Sequence, residues 1–205
     1  MTATLLRGDC LDLLHDVGPV DTVITDPIWP NSGIFDEESP ADLLRDALQM
    51  IDAKRVVIVL AFHSDPRFLV AVPSRWPFLR LQTMGYAMPS YRGRMLGGVE
   101  IAYCFGEPVP SAPGRRVIPG RGPVVSSPTP GNGHPCPRHV KHMEWLVNWW
   151  SEPGETVLDP FMGSGTTGVA CVQMSRDFIG CELREDFYEI AQRRIAEAQM
   201  QGVLL

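Results

Sequence analysis

The sequence predicts an α/β fold around a mostly parallel β-sheet, and three observations lead to this prediction. Short apolar segments with strand character alternate along the chain with segments that have the apolar spacing of amphipathic helices. Residues 56–61 (VVIVLA) form a continuous, largely β-branched run, as expected of a strand buried on both faces of a parallel sheet. The 205 residues are 44% hydrophobic and 20% charged, which is typical of a globular protein.

The N-terminal part of the chain contains strands and one clear helix. Predicted strands at 3–6 and 20–25 end at Gly8-Asp9 and at Asp26-Pro27. A helix is predicted to begin near Ser39, which supplies an N-cap before a first-turn proline. After the strand at 56–61, two further strands are predicted at 78–86 and 99–105, as a candidate antiparallel pair.

The C-terminal part of the chain repeats the alternation of helix and strand. The predicted elements are a helix at 139–150, a strand at 155–159, a helix at 165–174, a strand at 177–182 and a helix at 185–201. Before them, residues 107–133 hold seven prolines and five glycines in 27 positions, which predicts a flexible loop. We therefore expect a single domain, 1–205, with a Pro/Gly-rich flexible insertion at 107–133.

Charge is distributed unevenly along the chain. The net charge of −6 argues against a protein that binds nucleic acid by its overall charge. Residues 88–141 nevertheless contain seven basic and two acidic side chains, a net charge of +5, so the rest of the chain carries −11. Arginine suits phosphate contacts, and the alternative is a solvated loop rich in arginine. The candidate nucleic-acid contacts are Arg92, Arg94, Arg115, Arg116, Arg121 and Lys141.

Several classes of protein are disfavoured. The longest apolar run, 56–62, is too short to span a bilayer, and charged residues interrupt any signal-peptide core, so a cytoplasmic protein is expected. The five cysteines are scattered, without a C-x-x-C pair, which is typical of reduced thiols. His134, Cys136, His139 and His142 lie close together, but their spacing matches no usual zinc pattern, so no metal site is predicted.

A glycine-rich turn joins the strand at 155–159 to the helix that follows it. Residues 163–168 (GSGTTG) match G-x-G-x-x-G, and Glu182 follows 19 positions after Gly163, at the end of the next strand. Such glycines allow close approach to a nucleotide cofactor, and such a carboxylate accepts hydrogen bonds from ribose hydroxyls. The pattern does not distinguish NAD from S-adenosylmethionine, but the missing lysine excludes a P-loop. Only 23 residues follow Glu182, so the other strands must come from upstream, which disfavours a dehydrogenase.

The order of these motifs resembles that of the amino-group DNA methyltransferases of the β class, in which the catalytic motif precedes the cofactor motif. The resemblance covers nearly the whole chain. Residues 25–29 (TDPIW) resemble the catalytic D-P-P-Y tetrapeptide, 157–167 (VLDPFMGSGTT) the glycine motif, and 178–195 the segment with the ribose-binding acid. Weaker likenesses are an adenine-holding segment at 5–14, a late strand of the catalytic half at 99–106 and an H-P-x-x-K-P segment at 134–139.

The resemblance implies a Rossmann-like methyltransferase fold with a mostly parallel seven-stranded sheet, helices on both faces and S-adenosylmethionine as cofactor. It assigns the methionine part to the glycine turn and the 134–139 segment, the ribose to Glu182, and the adenine to the segment after the first strand. The cofactor-binding residues so implied are Asp9, Cys10, Asp26, His134, Arg138, Asp159, Phe161, Gly163, Gly165, Thr166 and Glu182. Arg138 stands where the family usually has lysine, and His139 where it usually has proline.

The catalytic tetrapeptide would be Asp26, Pro27, Ile28 and Trp29. An exocyclic amino nitrogen must become more tetrahedral before it attacks a methyl group. A carboxylate (Asp26) and a main-chain carbonyl (Pro27) that accept its N–H bonds favour that change as positive charge develops. Trp29 offers a flat face for a base extruded from the stack. Ile28 replaces the usual second proline, and Trp29 replaces the usual tyrosine.

The resemblance therefore implies methyl transfer to a DNA base, most simply adenine N6, in a restriction-modification context. Cytosine N4 of DNA, adenine of RNA and a non-catalytic DNA-binding relative are alternatives. Residues 107–133 lie where the family usually has a target-recognition domain, and they cannot form an independent core. Short or relaxed sequence specificity is therefore expected, or specificity supplied by a partner. A homodimer is plausible from the resemblance.

Overall fold

The computed structural model describes residues 1–28, 39–92, 94–109, 117–126, 133 and 138–202. The strands are β1 (Ala3–Arg7), β2 (Val20–Thr25), β3 (Ala53–Ala61), β4 (Phe78–Arg92), β5 (Met95–Gly106), β6 (Arg121–Val125), β7 (Thr156–Asp159) and β8 (Asp177–Glu182). The helices are α1 (Cys10–Leu13), α2 (Pro40–Met50), α3 (Val140–Trp150), α4 (Thr166–Gln173) and α5 (Glu185–Gly202), with 3-10 turns at Leu14–Asp16 and Pro66–Ala71.

The strands form one sheet in the order β1-β8-β7-β2-β3-β5-β4-β6. The five strands from β1 to β3 in this order are parallel to one another. β5 runs antiparallel to β3 and to β4, so the predicted antiparallel pair is confirmed. The predicted α/β fold and mostly parallel sheet are therefore correct.

The number of strands differs from the prediction of seven, because the described residues form an eighth, β6, inside the segment predicted to be a loop. Residues 121–125 pair in parallel with the outer edge of β4. Val125 is buried, and Gly122 approaches Met84 so closely that a Cβ atom would lie 2.9 Å from its Cγ. Pro123 is tolerated because an edge strand can leave a position without an N–H donor. The loop prediction is thus wrong over these five residues.

Helices cover both faces of the sheet, as predicted. One core lies between the sheet and α3, α4 and α5, and includes Met143, Leu146 and Ile195. The other lies under α1, α2 and the Pro66–Ala71 turn, and includes Leu44. β3 contributes alternate residues to both cores, which explains its continuous apolar sequence.

The parallel strands place their carboxyl ends along one edge of the sheet. The last residues of β1, β8, β7 and β2 are Arg7, Glu182, Asp159 and Thr25. Ligands of open α/β sheets bind outside the carboxyl ends of such strands. The motifs that follow these strands are therefore brought together, although they are far apart in the chain. Within the described ranges, no helix is both long and apolar enough to cross a membrane.

Gly168 lets α4 pack closely against α5 and β8. A Cβ atom on this residue would lie 2.4 Å from Ile195 Cδ1 and 2.7 Å from Phe178 Cε1. We predict that Gly168→Ala lowers the free energy of unfolding by about 1–3 kcal/mol, because overpacking outweighs the better helix propensity of alanine. Thermal denaturation measures the change. Gly18→Ala is the control, since a Cβ there meets nothing within 4 Å. Equal melting temperatures for both variants would contradict the packing argument.

Candidate active site

The ends of β2 and β7 are joined by a side-chain hydrogen bond. The Thr25 hydroxyl donates to Asp159 Oδ1 at 2.7 Å, and both residues are buried. Asp26, Pro27 and Ile28 follow Thr25 directly, whereas the fourth residue of the predicted tetrapeptide, Trp29, lies outside the described residues. The segment with Asp26 is thereby held beside the start of the glycine turn.

The glycine turn is built around the same carboxyl group. The Phe161 N–H donates to Asp159 Oδ1 at 3.2 Å, and the Thr167 hydroxyl donates to Oδ2 at 2.7 Å. Gly163 and Gly165 have φ values of +52° and +74°, a conformation that favours glycine. A Cβ atom on Gly165 would also lie 2.8 Å from the Ala191 Cβ in α5. The turn therefore requires glycine for its backbone conformation and for its contact with α5.

Asp159 is the most strongly perturbed acid of this edge. Burial raises its pKa to about 7, although the hydrogen bonds from Thr167 and Thr25 favour the ionised form; the charge of Asp26 also raises the pKa. Asp159 was predicted to bind cofactor. In the structure its carboxyl group accepts hydrogen bonds from the glycine turn, from α4 and from β2, and so holds these segments of the pocket together.

Arg194 contacts the glycine turn, a role that was not predicted for it from the sequence. It lies on α5, and its Nη1 donates to the Ser164 main-chain oxygen, to Ser164 Oγ at 3.0 Å and to Thr166 Oγ1 at 3.2 Å. Burial lowers the pKa of Arg194. Its spacing in α5 is that of an ordinary helix residue, so only the packing of α5 against the turn reveals this contact.

Glu182 stands at the end of β8, facing the turn. Its Oε2 accepts the Gly163 N–H at 2.9 Å and its Oε1 accepts the Arg184 N–H at 2.8 Å. Burial raises the pKa of Glu182. Each carboxylate oxygen has a second lone pair, so these bonds leave capacity for ribose hydroxyls.

The predicted adenine segment lies beside Glu182. The Gly8 N–H donates to the Glu182 main-chain oxygen at 3.0 Å. Asp9 is the N-cap of α1, where its carboxylate accepts the Leu11 N–H at 2.9 Å. Cys10 is buried, which raises the pKa of its thiol to about 12. Asp9 thus fixes the start of α1. The capping bond uses Oδ1 of its carboxylate and not Oδ2.

Asp26 is paired with Arg138. The Arg138 Nε donates to Asp26 Oδ2, and Nη2 donates to Oδ1 at 2.8 Å, so the guanidinium forms a two-pronged contact. Asp26 is partly exposed, whereas Arg138 is buried. The resemblance assigned Arg138 to the methionine part of the cofactor, and this contact links it to the predicted catalytic carboxylate.

Behind Arg138 lies a buried polar cluster that sequence reasoning missed. Arg138 Nη1 donates to Glu100 Oε1 at 2.6 Å, and the Tyr86 hydroxyl donates to the same oxygen at 2.6 Å. Glu100 Oε2 lies 2.8 Å from His142 Nδ1, and His142 Nε2 lies 3.1 Å from the Gly85 oxygen. Glu100 stands among apolar residues in β5, on the same face as Ala102 and Cys104. A lone acid on the buried side of a strand was the available signal.

The pKa of Glu100 reflects a balance of burial and pairing. Burial alone would raise it, but the Arg138 charge and the hydrogen bonds from His142 and Tyr86 outweigh that effect and hold the pKa at about 2. The carboxyl group is therefore ionised at neutral pH, inside the protein.

The basic residues predicted to contact nucleic acid lie on different elements of the fold. Arg94, Arg121 and Lys141 are exposed, at the β4–β5 turn, the start of β6 and the first turn of α3. Arg92 is the last residue of β4, and its side chain is not described. Arg115, Arg116 and His134 lie outside the described residues. The structure therefore locates the side chains of three of the six candidates, and all three reach solvent.

The predicted histidine–cysteine cluster is divided between two environments. His139 caps α3, where its Nδ1 accepts the Lys141 N–H at 3.2 Å, and His142 belongs to the buried polar cluster. His134 and Cys136 lie outside the described residues. Within the part of the chain that the structure describes, no three His, Cys, Asp or Glu side chains are grouped to hold a metal ion.

A small pocket opens at this edge of the sheet, between the glycine turn and the Asp26–Arg138 pair. Its lining joins the two predicted motifs and consists of Asp26, Arg138, Met143, Asp159, Phe161, Met162, Gly163, Ser164, Thr166 and Thr167. The fold and this pocket define a class of protein: an α/β enzyme that binds a nucleotide cofactor at a glycine turn, with a carboxylate beside it.

Comparisons with known proteins agree with this class. A family model for N6/N4 DNA methylases matches residues 107–193. The protein named "Putative methylase YubD" of Escherichia coli (strain K12) is 36% identical over 215 residues, covering 95% of this chain and 90% of YubD. The type II methyltransferase M.SmaI of Serratia marcescens is 53% identical over 73 residues, covering 35% of this chain and 24% of M.SmaI. The crystal structure of the M1.HpyAVI–SAM complex has a TM-score of 0.76 at 23% identity, covering 95% of this chain and 99% of that one.

The chain therefore belongs to the N6/N4 DNA methylase family, whose members methylate amino groups of DNA bases with S-adenosylmethionine. The described residues fit that cofactor. Gly163, which lines the pocket, has no side chain to block close approach, and Glu182 offers hydrogen-bond acceptors at the neighbouring strand end. The suggested NAD alternative and the dehydrogenase class are excluded by the family.

The raised pKa of Asp159 predicts a pH-dependent effect of its substitution. The folded state keeps a proton on this group that the unfolded chain loses above about pH 4. Folding stability therefore falls as the pH rises from about 4 to about 7. We expect Asp159→Asn to raise the melting temperature by several degrees at pH 8, because the amide stays neutral where the buried carboxyl group would ionise. The increase should be smaller at pH 5, where the carboxyl group is itself protonated. The neighbouring hydroxyl groups can donate to or accept from the amide.

Thermal unfolding at the two pH values measures this difference. The control is Asp52→Asn, at an exposed position, which should change the melting temperature equally at both pH values. An Asp159→Asn variant that is destabilised equally at pH 5 and pH 8 would contradict a raised pKa.

Proposed function

We propose that this protein transfers a methyl group from S-adenosylmethionine to an exocyclic amino nitrogen of a DNA base, with adenine N6 as the target. The observation that carries the proposal is the position of Asp26. Its carboxylate lines the same pocket as the glycine turn, and the Thr25–Asp159 hydrogen bond joins the two segments. A carboxylate beside the cofactor turn suits an amino group that must lose electron delocalisation before it reacts.

The cofactor would bind across the carboxyl ends of β7, β8 and β1. In this proposal the backbone at Phe161, Gly163 and Gly165 surrounds its methionine part, with Thr166 at the start of α4. Glu182 would accept the ribose hydroxyls. Asp9 and the Cys10 N–H would contact the adenine edge. Bound there, S-adenosylmethionine supplies an electrophilic methyl group.

The target nitrogen would donate its hydrogens to Asp26 and to the Pro27 main-chain oxygen. Both acceptors would stabilise the positive charge that develops on the nitrogen. The methyl–sulfur bond would break as the methyl–nitrogen bond forms, and the nitrogen would then lose one proton, without a covalent intermediate on the protein. The base must leave the duplex, because its amino group is otherwise paired. Trp29 would stack on the extruded base, and Ile28 would shape the backbone that presents Pro27.

Adenine N6 is favoured over cytosine N4 because the tetrapeptide begins with aspartate. The family contains both kinds of enzyme, so the modified base is the finer part of the proposal. A restriction-modification context and a homodimer remain predictions of the resemblance, and a cytoplasmic location remains a prediction of the apolar pattern. Short or relaxed sequence specificity is part of the same proposal, since residues 107–133 contribute β6 to the sheet edge of the catalytic domain.

Asp26→Ala tests the chemical assignment. We expect methyl transfer to DNA to fall by more than a hundredfold, because removal of one preorganised acceptor at a developing charge costs about 3–4 kcal/mol. S-adenosylmethionine affinity should change less than threefold. Mass spectrometry of nucleosides from treated DNA should detect N6-methyladenosine in its deoxy form. A fully active Asp26→Ala variant would refute the catalytic role, and N4-methylcytosine or methylation of RNA alone would assign the enzyme to another substrate.

The exposed basic residues test the DNA surface. We expect Arg121→Ala and Lys141→Ala each to weaken DNA binding and to reduce the slope of log affinity against log salt by about 1, as for a lost phosphate contact. Fluorescence anisotropy at several salt concentrations measures both. Arg67→Ala is the control, an exposed arginine outside residues 88–141. Unchanged slopes in both variants would show that DNA approaches another surface.

A further inference from the structure

We propose that Arg138 is a positioning residue that orients the carboxylate of Asp26, and that a buried ion cluster containing a positively charged His142 holds Arg138 in place. The inference rests on the proposed function, since it takes Asp26 as the acceptor of the target amino group. It assigns Arg138 a role different from a contact with the methionine part of the cofactor.

The guanidinium of Arg138 divides its donors between two carboxylates. Nε and Nη2 bond the two oxygens of Asp26, while Nη1 bonds Glu100 on the other side. A two-pronged contact of this kind fixes the plane of a carboxylate as well as its position. The contact therefore sets the orientation of the Asp26 carboxylate at the pocket that it lines.

Glu100 is anchored on three sides. Its carboxylate accepts hydrogen bonds from Arg138 and Tyr86 at one oxygen and meets His142 at the other. These partners come from the segment before α3, from β4 and from α3 itself, so the position of Arg138 depends on the packing of α3 against the sheet. Glu100 is only 2% exposed, which makes each bond costly to lose.

The surroundings of His142 offer a hydrogen-bond acceptor to each ring nitrogen. Nδ1 faces the ionised carboxylate of Glu100 at 2.8 Å, and Nε2 faces the main-chain oxygen of Gly85 at 3.1 Å. Both partners are acceptors only. A neutral imidazole carries one N–H, so one nitrogen would direct its lone pair at an oxygen, whereas the imidazolium donates to both.

The charges of the cluster support the same protonation state. Asp26 and Glu100 carry two negative charges, and Arg138 carries one positive charge. A positive His142 makes the group of four neutral, which is the lower-cost arrangement for buried ions. Among the described residues, two further titratable groups lie near His142: Tyr86, whose ring centroid is 4.9 Å away, and His139, at 5.8 Å. Burial and the neighbouring His142 and Lys141 lower the pKa of His139.

Kinetics separate positioning from cofactor binding. We expect Arg138→Gln and Glu100→Gln each to lower kcat at saturating S-adenosylmethionine by tenfold or more, while the Kd for that cofactor, measured by calorimetry, changes less than threefold. Arg138→Lys should recover part of kcat, because it keeps the charge but loses the two-pronged contact. Glu144→Gln, at a half-exposed carboxylate on α3, is the matched control and should keep kcat within twofold. A Kd raised more than tenfold with unchanged kcat would instead make Arg138 a cofactor contact and overturn the proposal.

The charge of His142 has its own readout. In the full-length protein labelled with ¹⁵N-histidine, we expect both ring nitrogens of His142 to be protonated at pH 7, with the signal assigned by its loss in His142→Gln. Glu100→Gln should convert this ring to a neutral tautomer, because the carboxylate that it faces is gone. His15→Gln, at an exposed histidine, should leave the His142 signal unchanged. A neutral His142 in the unmodified protein at pH 7 would falsify the charged cluster.

The two levels of the proposal fail in different ways. If Asp26→Ala is fully active, the proposed function fails. If Asp26→Ala is inactive while Arg138→Gln and Glu100→Gln keep normal kcat, the function stands and only the positioning role fails.

Discussion

The buried carboxyl group of Asp159 is the interaction on which the site depends. It accepts hydrogen bonds from the end of β2, from the backbone of the glycine turn and from α4, through Thr25, Phe161 and Thr167. A buried polar group must keep its partners, so these three segments have one relative arrangement. The residue after Thr25 is Asp26, so the same group connects the cofactor turn with the proposed acceptor of the target amino group.

Behind Asp26 lies a set of buried ion pairs, in which Arg138 bonds both Asp26 and Glu100. Arg138 belongs by sequence to the basic segment 88–141, yet it is buried between two carboxylates. The charge of Arg138 is neutralised inside the protein by these carboxylates, whereas the charged groups of Arg94, Arg121 and Lys141 are exposed to solvent. The basic segment thus contains two kinds of side chain: some are exposed and available to phosphate, and one is paired with two carboxylates at the site.

Much of the fold follows from local patterns that a single chain shows. The strands at 20–25 and 177–182 and the helix after Ser39 agree closely with the structure, because apolar spacing and caps are local properties. β6 was missed because an edge strand with Gly122 and Pro123 has almost no strand signal of its own. It forms only because the edge of β4 and the side of α3 offer Val125 a buried position.

The order of the motifs and the residues that follow each strand could be predicted from the chain alone, because glycine turns and strand-end carboxylates have recognisable spacing. Only the tertiary structure decided which side chains share a bond. Glu100, His142 and Arg194 lie in a strand and two helices, and no local pattern indicates which partners they bond. They enter the site because distant elements pack there, and a buried charge must find its partner wherever the fold brings one.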